Sequence, residues 1–508
     1  MDLNGCKISA PYAEGSTTNH TYAFENHGVL TIKDTKGEGK IVARGNFNYG
    51  TMTLESGTIN ACDGNGGYGV RNYEGAEFVM NGGTVATIYE DGDIPGEGYD
   101  ACPIRVDQGA KAEIKGGIIN NVSNFTVAID NYGETIVYDG TFTSVHTTLA
   151  NSAVMTINGG SFTCNGLEGI TAHALWAAAG TTTINGGRFD GKDNYNGFNV
   201  DASKGAKVYI KGGEFLSVHS GSLYGDGTIE VTGGTFFDDP SPRVTDDYTV
   251  VKDGDVYKVN PKPAVAKIGE TTYTSLQKAV AAVEDGGTIT LVADETFTKD
   301  NYYNNGGWKD GLGYSGDKSF TIDLDGHTIS QNGALNDYLV WIKNVGSKEN
   351  TITFKNGTMD AGKTAYCALC TASSHENKLT VNLENITLIN ENSNGSTVKI
   401  RAGSVLNVKA GTKITGKNSY LGVENWNAVV NIYDGAEIYM NGTTSYNGCL
   451  VGVGGNGTIN VYGGYGKGVS GGLIAMTSGG TINAMGGEWI ANTDGTYANS
   501  NKSVLIAQ

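Results

Sequence analysis

The chain of 508 residues is long enough for two or more domains, and its composition restricts what they can be. It has 77 glycines, about twice the usual share of roughly 7%, and only 7 prolines, which excludes collagen and proline-rich linkers and is typical of short strands joined by tight turns. The net charge of -18 argues against nucleic acid and anionic membranes as partners, because phosphate binding needs clustered Lys and Arg. No apolar run is long enough to insert into a membrane.

A sequence motif recurs through the first half of the chain. It consists of an apolar residue, any residue, Gly-Gly, any residue and an aromatic residue. Its clearest copies place the first glycine at positions 159, 186, 212 and 233. Steps of this size are typical of one coil of a β-helix, in which each coil buries its core against its neighbours. The glycine pair permits a corner that Cβ atoms would obstruct. The sequence therefore predicts an all-β fold, a right-handed parallel β-helix.

Polar residues recur at a similar period shortly before glycines in the same half. Asn and Asp tolerate the left-handed backbone conformation and satisfy local backbone groups at a bend. Identical side chains on stacked coils can also bond to one another. We therefore predict a turn ladder formed by Asn26, Asn48, Asn72, Asp107 and Asn131.

One coil of the first half carries a long acidic insertion between Tyr89 and Asp100. Its residues Glu90, Asp91 and Asp93 offer the carboxylate oxygens that Ca²⁺ prefers. The insertion could hold a cation or be an ordinary exposed loop. No other cofactor is predicted.

A hairpin is expected near residues 248–259, where two apolar strand patterns flank an Asp-Gly turn. It would close the first β-helix, and Pro261-Lys262-Pro263 follows as a stiff linker. We place the boundary at residue 262, so that the first module covers 1–262 and the second covers 263–508.

The second module begins with a short amphipathic helix near residues 274–285. Thr274 and Gln277 fit a capping box, and Leu276 and Val280 lie on one apolar stripe. We expect this helix to plug the open end of the second β-helix.

The two modules look like two copies, because residues 2–9 match residues 323–330 and glycine corners recur from Gly357 to Gly487. Only the second copy has a plug. Since Met1 would fall inside a coil and the chain stops one strand after a corner, we expect truncation at the N terminus of the first module and the C terminus of the second.

An aromatic insertion in the second module is the strongest candidate for a binding site. Aromatic faces stack on sugar rings, and long loops on a rigid scaffold often carry function. The predicted binding residues are Tyr302, Tyr303, Trp308 and Tyr314.

Cys367 and Cys370 form a CxxC pair that could suggest a metal or redox site. In a regular strand, positions i and i+3 face opposite sides, so one metal could not readily take both. We interpret the pair as small buried apolar residues.

The Asn-Gly-Gly-x-Phe corners and the segment from Val265 to Asp294 resemble the pectate-lyase-like β-helix repeat modules of large surface proteins from gut bacteria. The resemblance covers nearly the whole chain but specifies architecture, not activity. It implies an extracellular, cell-surface location. Because stacked coils make a stiff body with repetitive faces for weak contacts, we predict a non-catalytic stalk or adhesin that binds glycans or surface proteins weakly, and we expect a monomer. The wider superfamily also includes polysaccharide lyases, glycosidases and trimeric phage tailspikes, which remain the alternatives.

No catalytic residue is predicted. The phrases of polygalacturonase-like hydrolases occur in the wrong order, with Asn492-Thr493-Asp494 only near the end and Gly326-His327-Thr328 in place of Gly-His-Gly. A Ca²⁺-dependent lyase would need clustered carboxylates and an Arg or Lys base. The candidates for such a cluster are Asp190, Asp193 and Asp201 with Lys204 or Arg188.

Overall fold

A computed structural model of the chain is 57% strand and 2% helix. It divides into two compact units, Met1–Lys262 and Pro263–Gln508. Both are β-solenoids of stacked parallel strands, with about 16 turns between them, which confirms the predicted fold class. The described residues are 1–10, 21–61, 67–87, 101–123, 126–166, 171–191, 197–216, 221–299, 301–333, 335, 337–373, 378–417, 421–441, 449–468, 471–475, 479–490 and 503–504.

Three sheets form the wall of the first unit, and successive coils add parallel strands to each. The parallel strands of sheet A are Lys7–Ser9, Lys40–Ala43, Thr58–Ala61, Thr84–Thr87, Ile118–Asn121, Thr141–Ser144, Ser161–Cys164, Arg188–Asp190, Glu214–Phe215 and Gly234–Phe236. Those of sheet B are Tyr22–Asn26, Gly45–Asn48, Tyr68–Asn72, Cys102–Val106, Ile129–Asn131, Leu149–Asn151, His173–Ala177, Phe198–Ala202 and Leu223–Tyr224. Those of sheet C are Val29–Ile32, Thr51–Leu54, Glu77–Met80, Lys111–Ile114, Glu134–Val137, Val154–Ile157, Thr181–Ile184, Lys207–Ile210 and Thr228–Val231.

The predicted hairpin is present at the end of sheet A. Its strands Tyr248–Asp253 and Val256–Pro261 are antiparallel, and the second also pairs antiparallel with Gly234–Phe236. A short 3-10 turn, Ser241–Arg243, precedes the hairpin. The hairpin therefore covers the edge that the last parallel strand of sheet A would otherwise expose.

The repeated aromatic residue of the glycine corners lies inside the first unit. Five phenylalanines in register on sheet A stack ring upon ring, with centroid separations of 4.7, 4.8, 5.0 and 4.6 Å, and all are fully buried. The adjoining glycines leave no room for larger side chains, since a Cβ on Gly186 would lie 2.6 Å from the carbonyl oxygen of Asn158. The stacked phenylalanines are Phe142, Phe162, Phe189, Phe215 and Phe236.

A column of buried asparagines runs along sheet B. The Asn26 amide donates to Asn48 Oδ1 over 2.8 Å, and Asn48 donates to Asn72 Oδ1 over 2.6 Å. Asn131 resumes the column and donates to Asn151 Oδ1 over 2.7 Å. Each of these three donor side chains also accepts from the backbone N–H two residues further on, as expected for Asn at a bend, and donates to a backbone carbonyl of the next coil.

Asp107 does not lie in this column, so its assignment to the ladder is wrong by one residue. Val106, fully buried, occupies the register position between Asn72 and Asn131. The Asp107 carboxylate instead forms ion pairs with two arginines of sheet B. An apolar side chain fits the column because it needs no hydrogen bond there.

Two sheets form the wall of the second unit. Sheet D has one series of strands, the first two antiparallel: Thr271–Tyr273, Ala266–Ile268, Gly287–Leu291, Phe320–Asp323, Asn350–Asp360, Leu379–Asn390, Ser404–Val408, Val429–Ile432, Thr458–Val461 and Thr481–Ala484. Beyond a corner the same sheet continues in a second series: Glu295–Phe297, Thr328–Gln331, Lys413–Gly416, Glu437–Met440, Tyr465–Lys467 and Glu488–Ile490. The strands of sheet E are Leu312–Gly316, Tyr338–Asn344, Cys367–Ser373, Ser396–Ile400, Leu421–Trp426, Cys449–Gly454, Gly471–Ala475 and, antiparallel, Ser503–Val504.

The predicted helix spans Leu276–Ala282 and buries Leu276 and Val280 in the core of the second unit. The predicted capping box is wrong. Ser275 is the N-cap, and its hydroxyl accepts from the backbone N–H of Lys278. Gln277 instead bonds through both of its amide atoms to the backbone of Gly313, at 2.9 Å each, and so ties the helix to sheet E.

A second asparagine ladder lies on the outer face of sheet D, where sequence analysis did not anticipate one. After the first member, each amide nitrogen donates to the asparagine Oδ1 of the preceding coil over 2.8 or 2.9 Å. The repeated phrase apolar-Asn-apolar was the available signal. The members of this ladder are Asn382, Asn407, Asn431, Asn460 and Asn483.

Candidate functional site

The outer face of sheet E carries a group of aromatic and charged side chains. The alternation of inward and outward residues is interrupted here, because the consecutive residues Leu339 and Val340 both belong to the core. Tyr338 and Trp341, three positions apart, therefore share the outer face. The same interruption on the next coil places Cys367 and Cys370 together beside Tyr338.

A cavity of about 440 Å³ opens on this face. Its floor comes from sheet E and its rim includes one residue of a hairpin formed by Tyr303–Asn305 and Trp308–Asp310. A volume of this size is in the range of small-molecule sites. The lining residues are Asn305, Asp337, Tyr338, Trp341, Lys343, Ala372 and Arg401.

Arg401 and Tyr338 connect coils that are two turns apart. Arg401 Nη2 donates to the Tyr338 hydroxyl oxygen over 2.6 Å. Burial raises the pKa of Tyr338, so the phenol keeps its proton, and its hydroxyl hydrogen-bonds the Asp337 carboxylate. Burial also raises the pKa of Asp337. The three side chains thus form a fixed polar wall, since each group is held by its neighbour.

Asp310 lies beneath this wall and does not line the cavity. It is fully buried, and its carboxylate accepts from the backbone N–H of Tyr338 and from Asn305 Nδ2, both at 3.2 Å. Burial raises its pKa to about 6. Its contacts fasten the hairpin to the next coil, which fixes the rim of the cavity relative to the floor.

A buried ion pair lies on later strands of sheet E. Lys399 Nζ lies 2.9 Å from Glu424 Oε1, and both side chains are mostly buried. Ser396 and Trp426 donate to the two oxygens of the same carboxylate, over 2.6 and 2.8 Å. Although burial opposes the charge on Lys399, the hydrogen bond to Glu424 raises the pKa of its ammonium group. The pair is fully bonded, as a buried ion pair must be to be stable.

Two of the four aromatic residues predicted to bind come together, although in a neighbouring depression. Tyr303 and Tyr314 line a cavity of about 330 Å³ that also includes Gln277 of the helix. The Tyr303 ring packs across Gly313, and its centroid is 6.3 Å from that of Trp341. Tyr303 therefore lies between the two cavities.

Apart from the cavity that Tyr303 and Tyr314 share, the predicted aromatic residues have different surroundings. Tyr314 packs edge-on against Phe320 at 4.9 Å, and its hydroxyl accepts from the backbone N–H of Lys318 over 2.7 Å. Tyr302 is half-buried against the core, with Lys309 Nζ 4.9 Å from its ring centroid. Trp308 forms part of the hairpin backbone, and its side chain lies outside what the structure describes.

Tyr338, Trp341, Asp337 and Arg401 were missed by sequence analysis. They come from turns and strands separated by up to 64 positions in the chain, and only the strand register brings them together. The spacing of 29 residues between Tyr338 and its partner Cys367 was the only available signal.

The predicted metal ligands Glu90, Asp91 and Asp93 lie outside the described residues. Within the residues that are described, no group of three or more His, Cys, Asp or Glu side chains is placed to hold a metal ion.

The residues considered for a lyase site do not assemble in the described part of the chain. Arg188 pairs with Glu214 at 3.6 Å on sheet A, whereas Asp201 lies 3.3 Å from His173 on sheet B. Asp193 lies outside the described residues.

Cys367 and Cys370 are both fully buried, as interpreted from the sequence. The argument that they face opposite sides is wrong. Ala368 and Leu369 both enter the core, so the cysteines before and after them face the same way. Burial, followed by the hydrogen bond with Cys370, raises the pKa of Cys367, which keeps the thiol protonated and unreactive.

No family model, curated protein or solved structure matches the chain. Among the helices of the described residues, none is long and apolar enough to span a membrane. The function must therefore be argued from the site itself.

Proposed function

We propose that this protein is a non-catalytic glycan-binding β-solenoid, part of a stalk or adhesin, and that the cavity on sheet E is its binding site. The observation that carries the proposal is the combination of Trp341 with Arg401, Asp337 and Lys343 around one opening. Aromatic rings pack on the apolar faces of sugars, while charged groups bind their hydroxyls.

The rigidity of the wall supports binding at low entropic cost. Arg401, Tyr338 and Asp337 hold one another, and Asp310 fixes the hairpin, so little order has to be gained when a ligand enters. A shallow site of this kind gives modest affinity. Repeated presentation on a surface would raise the avidity, as adhesion requires.

A glycan array with the full chain tests the proposal. We expect binding by the wild type and a loss of at least tenfold in the Trp341→Ala variant, because the indole ring that lines the cavity is removed. Tyr462→Ala, an exposed ring on sheet D, is the matched control and should bind as the wild type does. Equal signals from Trp341→Ala and wild type, with unchanged circular dichroism, would remove the cavity from consideration.

A polysaccharide lyase or glycosidase is the second candidate, favoured by the raised pKa of Asp310 and the nearby Arg401. Asp310 is enclosed, however, and both of its oxygens accept protein hydrogen bonds. A carboxylate in that position cannot reach a glycosidic bond. Incubation with pectin, mucin and host glycans should release neither unsaturated nor reducing ends; release of either, abolished by Arg401→Gln, would establish the enzyme.

We further propose an extracellular location on a bacterial surface, within a protein related to pectate-lyase-like surface modules. The support is the resemblance of the glycine corners and of the helix-led segment to those modules. Antibodies raised against the chain should label intact cells of the source bacterium. Labelling that needs cell lysis would contradict this location.

A further inference from the structure

Two arginines lie side by side on the outer face of sheet B in the first unit. Arg71 and Arg105 are direct register neighbours on adjacent strands, which run about 4.8 Å apart. They are 29% and 26% exposed. They belong to a different unit from the sheet E cavity, and the proposed function makes no use of them.

Asp107 accepts a hydrogen bond from the Nε of each arginine. Its two carboxylate oxygens each lie 2.8 Å from an Nε, Oδ2 from that of Arg71 and Oδ1 from that of Arg105. Arg105 Nη1 additionally donates to Asp130 over 3.0 Å. Because the bridging carboxylate uses the Nε positions, the terminal nitrogens of Arg71 make no hydrogen bond to any residue that the structure describes.

Aromatic rings complete the support. The guanidinium of Arg71 lies 4.5 Å from the ring centroid of Tyr73, and that of Arg105 lies 4.6 Å from that of Tyr132. Stacking of this kind fixes the guanidinium plane without occupying its N–H groups. Arg105 uses its Nε on Asp107 and its Nη1 on Asp130, and it also hydrogen-bonds Tyr132, whereas Arg71 uses only its Nε. The terminal nitrogens of Arg71 are therefore suited to a planar anion, which they can bind with parallel hydrogen bonds beside the positive charge of Arg105.

The charge balance selects the anion. Two arginines and two aspartates give the cluster a net charge of zero within a chain of net charge -18. A phosphate dianion would meet repulsion from both aspartates, whereas a carboxylate carries one charge and matches the guanidinium geometry.

The neighbouring side chains favour a saccharide as the carrier of that carboxylate. Tyr132 is 40% exposed, and Trp176, 39% exposed, lies two coils beyond Asp130 in the same column. Ala150 lies between Asp130 and Trp176 in this column and is small, so it leaves a low position beside the Trp176 ring. Exposed aromatic rings near such a position suit sugar rings better than a charged peptide.

We infer that Arg71 and Arg105 form a carboxylate-binding site for an acidic saccharide. The carboxylate could belong to a uronic acid or to a nonulosonic acid, and the chemistry at the guanidinium groups is the same. The site is independent of the cavity on sheet E.

Calorimetric titration of the full chain tests this site with paired oligosaccharides. In the first pair, one oligosaccharide ends in glucuronate and the other in glucose. In the second pair, one ends in N-acetylneuraminate and the other lacks that residue, so that it ends in galactose. We expect the wild type to bind at least one acidic member and to bind its neutral partner at least tenfold more weakly. The two pairs separate the two sources of the carboxylate. Failure to bind either acidic member would overturn the inference.

Variants locate the binding. Arg71→Gln with Arg105→Gln should lower the affinity at least tenfold, whereas Lys111→Gln with Lys207→Gln removes the same charge from sheet C and should change it less than twofold. If the first pair does not fold, Arg71→Lys keeps the charge but loses the fork, and it should weaken binding severalfold. Unchanged affinity together with a lower unfolding temperature would show that the network is structural only. Trp341→Ala should leave this binding intact, which separates the test from that of the sheet E cavity.

Discussion

Buried asparagines in the first unit join adjacent coils by directional hydrogen bonds, which hydrophobic contacts cannot provide. Asn48 is fully buried, donates to Asn72 and to the backbone of Glu77, and accepts from Asn26. Each amide satisfies a turn and its neighbouring coil at once, so the column links adjacent coils in register.

Replacing Asn48 should therefore be costly. Asn48→Ala removes the donor to Asn72 Oδ1 and to the backbone carbonyl of Glu77 in a buried place, and we expect a loss of about 1–3 kcal/mol in the free energy of unfolding. Asn158→Ala removes an equivalent amide pair, with Asn185, from an exposed corner and should cost less than about 0.5 kcal/mol. Urea unfolding of both variants checks this, and equal losses would contradict the structural role of the buried column.

His173 is a buried titratable residue on sheet B. Burial and the neighbouring His146 lower its pKa to about 4, in spite of the Asp201 carboxylate 3.3 Å away. Among the described residues its Nδ1 has no hydrogen-bond partner. The folded protein therefore holds the imidazole in its neutral form at neutral pH.

This residue should make the first unit sensitive to acid. The unfolded chain takes up a proton near pH 6.5 and the folded chain only near pH 4, so stability falls as the pH is lowered through that window. The loss from this one group is on the order of 3 kcal/mol. Urea unfolding at pH 7, 5 and 4 should show a smaller decline in His173→Gln than in the wild type; parallel declines would refute the assignment.

The coil of the first unit is built around its glycine corner and the phenylalanine that follows. The glycines let the corners of successive coils approach, and the phenylalanine fills the space that the turn leaves inside. Because each ring packs on the rings above and below it, one side chain contributes to three coils.

Phe189→Ala should destabilise the protein by about 3–5 kcal/mol, because it opens a cavity in the middle of the stack between Phe162 and Phe215. Phe237→Ala, just outside the stack and 43% exposed, is the control and should cost less than about 1 kcal/mol. Thermal unfolding of the two variants distinguishes them. A small effect at Phe189 would mean that the rings are not packed together.

Period and composition were enough to predict the coil, the hairpin and the helix. They were not enough to predict which residue occupies each position of the stacked side-chain columns. Asp107 has the residue type and spacing of the ladder, but Val106 takes its place, since a shift of one residue exchanges inward and outward positions. The ladder on sheet D was equally visible in the sequence, yet its meaning depended on knowing the register.

The binding site was predictable only in part. The aromatic insertion around Tyr303 does lie beside the cavity, but Trp341 and Arg401 belong to coils that only the fold brings near it. The outward direction of Tyr338 depends on two consecutive inward residues, a local irregularity that strict alternation cannot reveal. The same irregularity explains the error over Cys367 and Cys370.

The protein should be monomeric in solution. Outward strand positions in segments such as Lys111–Ile114 and Lys207–Ile210 carry charged or polar side chains, and a net charge of -18 opposes self-association. Light scattering on a size-exclusion column should give the mass of one chain, 53.1 kDa. A trimer would contradict this and favour the phage tailspike alternative.

The most direct measurement is a crystal structure of the full chain with the saccharide that binds best on the array. We expect parallel stacked strands, with the saccharide on Trp341 and in hydrogen-bonding contact with Arg401 beside the hairpin. A saccharide bound away from this cavity, or strands paired mainly antiparallel, would contradict the account.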